Sequence, residues 1–346
     1  MAWKGSVSFA SEFPTIVTGA PLYNYEREFT GAFLQLAPSF KEKYFLVAGL
    51  RYEKSNVSIA VVNPRIGFTT NFELSHLTIK PRISWGRSAT PPPYYITHSR
   101  PPFGLITFIA NPDIKPKEQG GVDAAIEIYD KNNKFKMELV HYDNIIKNDF
   151  QRIFTANGAG AIISYVNIGK YAHKGWEFSS DYKINKFKIG ANYSIINATY
   201  IDSFAGRKTF YKGDRVDYIP KYAAGASLNY TIPKLLGKSD HLSATLSMTS
   251  SGKMITSDSY QYFIDLARWQ SGNGPDPSSN DYTFETPAVT KYNLNIDYQF
   301  HPNLGFFIQA QNFTNNTTPD WDKSFPVSGA SWMFGLNLNF NKMTKW

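Results

Sequence analysis

Apolar and polar residues alternate with period two along much of the chain, most plainly in its C-terminal half. Tyr292, Leu294, Ile296, Tyr298 and Phe300 hold alternate positions, with Asn293, Asn295, Asp297 and Gln299 between them. Neighbouring side chains of an extended strand point to opposite faces, so this spacing predicts a strand with one apolar and one wet face. Leu242, Ala244, Leu246 and Met248, set against Ser243, Thr245, Ser247 and Thr249, repeat it. So do Trp332, Phe334, Leu336, Leu338 and Phe340, with Met333 the one exception. Weaker copies run from Trp176 to Ile184 and from Phe187 to Ile195. Extended over the chain, the pattern predicts strands near 3–10, 26–37, 43–54, 61–71, 75–87, 118–130, 133–146, 160–184, 187–200, 217–231, 239–250, 289–300, 304–313 and 330–341, about fourteen in all.

The connections between these strands alternate in length. Glu73 to Leu74, Lys131 to Asn132, Asn185 to Lys186 and His301 to Asn303 are short. Arg87 to Lys117, Lys147 to Ala159, Ile201 to Val216, Ser251 to Ala288 and Thr314 to Gly329 are long and polar, and read as irregular surface structure. A transmembrane β-barrel requires this parity, with short periplasmic turns and long extracellular loops, whereas a soluble sandwich does not. The predicted fold class is therefore an all-β, antiparallel transmembrane barrel of a Gram-negative-type outer membrane. Trp85, Trp176, Tyr298, Phe300, Phe340 and Trp346 fall near strand ends, where amphipathic rings form girdles at head-group depth.

Composition narrows the alternatives. The 346 residues are 42% hydrophobic and 16% aromatic, enough to fold, yet no apolar run approaches the ~20 residues that a membrane helix needs. The net charge of +8 comes from scattered Lys and Arg without a basic block, so no nucleic-acid partner is expected. There are no cysteines, which removes disulfides and thiolate metal sites. The six histidines are dispersed, and neither a His-Glu-x-x-His pair nor a nucleophile elbow is present. Gly158, Ala159 and Gly160 lack the lysine and Ser/Thr of a phosphate loop. Enzyme activity is not expected, and no catalytic, metal or cofactor residues are assigned. Ligand recognition is expected in the outer loops, where Tyr260, Tyr262, Phe263, Arg268 and Trp269 cluster in one loop and Trp321 stands in the last. Aromatics beside a cation suit stacking on a sugar, a chelate or another planar ligand.

Several segments carry a family resemblance. Gly49, Leu50, Arg51 and Tyr52 form one strand end; Asn111, Pro112, Asp113, Ile114, Lys115, Pro116 and Glu118 precede another strand. Asn167, Ile168, Gly169 and Lys170, then Gly175, Trp176 and Glu177, open a third, and Gln311, Asn312, Phe313, Thr314 and Asn315 lie near the end. In this order they resemble the TonB-dependent outer-membrane receptors, specifically the C-terminal part of their barrel. Lys117 interrupts the usual Pro-Glu adjacency, and a polar tail follows Phe340.

The resemblance implies a barrel of about 22 strands filled by a globular plug. It implies uptake of a scarce nutrient of the siderophore, cobalamin or glycan class, powered through TonB. The final strand resembles the signal read by the barrel assembly machinery. Residues 1–346 are expected to be one barrel domain, the C-terminal portion of such a receptor. The opening segment MAWKGSVSFA shows no secretory signal, so a signal, a plug and a TonB-contacting segment are expected upstream. A passive fourteen-stranded porin and a soluble β-structured binding protein are the alternatives.

Overall fold

A computed structural model describes residues 3–12, 27–56, 58–98, 100–104, 106–157, 160–202, 212–237, 239–257, 259–275, 282–319 and 327–338. Its long strands are β1 (Trp3–Glu12), β2 (Arg27–Leu36), β3 (Tyr44–Ser55), β4 (Ser58–Thr70), β5 (Leu77–Thr90), β6 (Lys117–Asp130) and β7 (Phe135–Asn157). The remainder are β8 (Gly160–Ile184), β9 (Phe187–Tyr200), β10 (Tyr222–Pro233), β11 (His241–Ser251), β12 (Val289–His301), β13 (Leu304–Gln311) and β14 (Ser331–Leu338). Each pairs antiparallel with the next in sequence, giving one continuous up-and-down wall.

Register turns the period-two pattern into two faces. Ile189, Leu228, Leu246, Leu294, Ala310 and Trp332 lie in one cross-strand row. One step along, Lys188, Asn229, Thr245, Asn295, Gln309 and Met333 form the adjacent row. The first row points to the apolar face, the second to the polar face, and a one-residue slip anywhere would exchange them. The apolar face is open: Leu336 is 68% exposed and Trp176 49%, and Leu50, Ile66 and Leu246 are likewise exposed. A soluble surface rarely carries so continuous an apolar sheet, whereas a lipid-facing wall must.

The polar face is a ladder of charges and amides. Glu127 of β6 lies between Lys80 of β5, at 3.6 Å, and Lys136 of β7, at 2.8 Å. Arg82 reaches Glu138, and Arg65 reaches Gln35. On the other half of the wall amides and hydroxyls predominate, with the Asn229 amide donating to Ser243 at 2.9 Å and Thr245 at 2.8 Å.

The short turns are made by local chemistry. Asn133 and Asn185 take left-handed backbone conformations that their side chains tolerate. Asp130 accepts the Asn132 and Phe135 N–H groups, closing the β6–β7 turn. At the opposite end, Ile146, Ile168, Tyr171, Ala198, Tyr200 and Val216 form a small buried core, with Ile219 packed against it.

Three expectations are corrected. Residues 147–159 are not a long loop: β7 continues to Asn157 and stays paired with β8 up to Gly160. Phe150 pairs with Asn167 and Ile153 with Ser164 in unbroken register, so the ladder outlasts the alternation that marked its start. The 251–288 connection is not irregular, because it holds a two-stranded hairpin, Ile255–Ser257 with Thr283–Glu285, and a helix, Ser259–Gln270. The 87–117 connection contains a short helical turn, Tyr94–Thr97, and a strand, Ile106–Phe108, that pairs in parallel with Ala161–Ile163.

Candidate functional site

The long connections converge at one end of the wall, and the described ones are folded rather than loose. The helix Ser259–Gln270 carries the backbone of Tyr260 and Tyr262 in its first turn and Arg268 and Trp269 near its last. Leu266 is its buried anchor. Asp265 accepts a hydrogen bond from the Tyr282 hydroxyl at 3.0 Å and another from Gln261 at 2.8 Å. The helix ends because Gly272 adopts φ +75°, which lets the Asn273 N–H return to the Arg268 carbonyl at 2.8 Å.

Below the helix, the small hairpin is tied to the wall. Thr286 donates its N–H to the Met254 carbonyl at 2.9 Å, and Thr256 and Thr286 are almost fully buried. Lys221 and Lys253 hold the Glu285 carboxylate at 3.0 and 3.3 Å. These two hydrogen-bonded ammonium groups keep the Glu285 carboxyl below its usual range. The loop is thus clamped at its base by charge and at its helix by hydrogen bonds.

This platform brings four of the five predicted ligand-contact residues, Tyr260, Tyr262, Arg268 and Trp269, onto one helix. The Arg268 guanidinium is exposed, 3.9 Å from Asp265, and Trp269 is half-buried. The fifth residue, Trp321, lies outside the described residues. A cation and an indole on adjacent positions of a fixed helix can stack on a planar or anionic ligand without first ordering a loop.

Three asparagines build the rest of this end. Asn111 donates to the Tyr165 carbonyl at 2.8 Å and accepts the Asp113 N–H. Asn167 accepts the Lys115 N–H at 2.7 Å and donates to the Lys115 and Asn148 carbonyls. Together they fasten the 91–116 connection to the tall β7–β8 hairpin. Asn312, buried and at φ +47°, donates to the Asn316 and Ser328 carbonyls and accepts the Asn316 N–H at 3.0 Å. All three stand in the segments that carry the family resemblance, but only their contacts show that they act as latches.

The girdle candidates divide. Trp85 and Trp176 are exposed on the apolar face near the long-loop end, each in a row with other apolar side chains, and Phe300 is exposed near the short-turn end. Tyr298 is 8% exposed: its ring packs edge-on against Phe300 and its hydroxyl donates to Asp240 at 2.7 Å. It is covered by its neighbours rather than open to lipid. Phe340 and Trp346 lie outside the described residues. Among the described residues, no three His, Asp or Glu side chains converge to hold a metal ion.

The profile of the family described as TonB dependent receptor-like, beta-barrel matches residues 3–313. No curated protein sequence matches the chain. Among solved structures, a mutant of the ferric enterobactin receptor PfeA from Pseudomonas aeruginosa superposes with a TM-score of 0.65 at 14% identity, over 95% of this chain and 48% of that one. The siderophore receptor PirA from Acinetobacter baumannii gives 0.63 at 14%, over 90% and 46%. The siderophore receptor PiuA from Acinetobacter baumannii gives 0.63 at 18%, over 90% and 43%. The chain spans less than half the length of each of these proteins.

Proposed function

Because the chain belongs to the TonB-dependent receptor-like β-barrel family, a family of outer-membrane receptors and transporters rather than enzymes, we propose that it forms the ligand-receiving wall of a receptor for a scarce nutrient. The class is siderophore, cobalamin or glycan, and import is driven through TonB. The observation that carries the reading is the clamped helix Ser259–Gln270, which presents Arg268 and Trp269 at the extracellular end above a lumen lined by polar side chains. The solved neighbours described as siderophore receptors favour the chelate class. Assembly into the membrane belongs to the same reading, with β14 taken up by the barrel assembly machinery.

The test is uptake of ferric siderophores by cells expressing the receptor under iron limitation, with and without a proton uncoupler. Saturable, uncoupler-sensitive uptake is expected. Replacing both Arg268→Ala and Trp269→Ala should weaken ligand binding by about tenfold, roughly 1.4 kcal/mol. Uptake that rises linearly with concentration and ignores the uncoupler would instead identify a passive pore.

A further inference from the structure

The periplasmic end of the wall carries an excess of unpaired cations arranged among exposed rings. Glu73 is held by Lys131 at 3.6 Å, and Asp130 is consumed by the N–H groups of its own turn. Asp240 is likewise consumed by the Leu236 and Gly237 N–H groups and the Tyr298 hydroxyl. Lys41, Lys43, Lys134, Lys186 and Lys234 form no ion pair among the described residues, and the only acid of these turns left beside them is Glu42. At the extracellular end, by contrast, Arg87, Lys117, Lys221 and Lys253 each hold a carboxylate.

The lysines stand at one depth. Backbone bonds link neighbouring turns side by side: Asn71 N–H to the Lys43 carbonyl, Lys183 N–H to Lys134, and Thr231 N–H to Lys186. The Lys43 ammonium lies over the rings of Tyr44 and Phe72, at 5.6 and 5.1 Å, and that of Lys41 over Phe40 at 5.3 Å. Tyr44 and Phe68 stack on the lipid face, so these ammonium groups sit where ring bodies meet the acyl boundary and charges meet head groups. The 234–240 turn is bound to the lipid face through Tyr298 and Asp240, and it presents Leu236, 82% exposed, beside Lys234.

We propose that this rim is a collar for anionic phospholipid head groups of the periplasmic leaflet, built from Lys41, Lys43, Lys134, Lys186 and Lys234, with Leu236 seated in the interface. Charge complementarity selects the partner: five lysines that form no ion pair among the described residues, at head-group depth and outnumbering the acids of their turns, favour phosphate without a balancing choline. Each lysine near an anionic surface is worth roughly fivefold in affinity. The inference rests on membrane placement alone and is independent of what the extracellular loops bind.

The test uses the receptor extracted from outer membranes in a neutral detergent and exposed to equal amounts of phosphatidylglycerol and phosphatidylcholine, with retained lipids counted by native mass spectrometry. About tenfold preference for phosphatidylglycerol is expected. It should vanish when all five lysines become Gln and persist when all five become Arg. Equal retention of the two lipids, an unchanged preference in the Gln variant, or occupation of the rim by an acidic protein in place of lipid overturns the proposal. If the Gln variant does not fold, a salt series on the unaltered receptor decides: preference must fall between about 0.05 and 0.5 M salt, as screening shortens the reach of each charge. Preference that persists at high salt sinks the collar.

Discussion

Asn312 shows how much one side chain can hold. Its backbone sits in the left-handed region, where Asn is tolerated, and its amide bonds both flanks of the last extracellular connection. Asn312→Ala should cost about 3 kcal/mol, since three bonds are lost and alanine is strained in the left-handed region that Asn312 occupies. Urea unfolding followed by tryptophan fluorescence measures it, and an unchanged midpoint would contradict the latch. At the other end, burial pushes the Asp240 carboxyl up, but the Leu236 N–H, the Tyr298 hydroxyl and the Gly237 N–H together hold it below the usual aspartate range. A depressed carboxyl contributes stability that is complete above the unfolded aspartate value, about 3.9, and is lost as pH falls through the lower folded value. Protection factors of the Leu236 and Gly237 amides should therefore be constant at neutral pH and fall only in that acid window. Protection that declines already near pH 6, or not at all in acid, would argue against the clamp.

Among the elements, the tall β7–β8 hairpin is the mast to which other segments are tied. Asn167 and Asn111 fasten the 91–116 connection to it, and Lys117 meets Asp149 at 2.8 Å on its side. Asn167→Ala removes three hydrogen bonds from that junction, about 2 kcal/mol of local stability. The expected result is faster proteolytic cleavage within 91–116, with the unfolding temperature of the wall almost unchanged, because the strand ladder does not pass through Asn167's side chain. Cleavage at the original rate would show that the parallel pairing of Ile106–Phe108 with Ala161–Ile163 suffices alone. The helix Ser259–Gln270 follows the same logic. It is a short element whose stability comes from Tyr282, Leu266 and the Glu285 clamp rather than from its own sequence.

For the whole molecule, the two faces of the wall set what each position tolerates. Leu246 lies mid-row on the lipid face, and Thr245 beside it faces the lumen. Leu246→Arg should destabilise the inserted protein by about 2–4 kcal/mol, whereas Thr245→Arg should be nearly neutral. Urea titration in lipid vesicles compares them, and equal costs would refute the assignment of faces. The alternation that assigns them was legible in the residues themselves: a strand with a period of two announces its apolar side wherever it is placed, and the long strands lie within a few residues of where that period put them. The parity of short and long connections was legible as well, and it carries the reading of the short-turn end as periplasmic. The helix in the 251–288 connection was not legible, because Tyr260, Tyr262, Arg268 and Trp269 read as aromatic loop residues until Tyr282, 17 residues away, bonds Asp265. Nor was the reach of β7 past Lys147, which depends on a partner strand to complete its ladder. Local periodicity determines strands and faces, since each depends on side chains a few residues apart. Which polar residues become latches, clamps or an unpaired collar depends on partners distant in sequence, and only the tertiary structure brings those together.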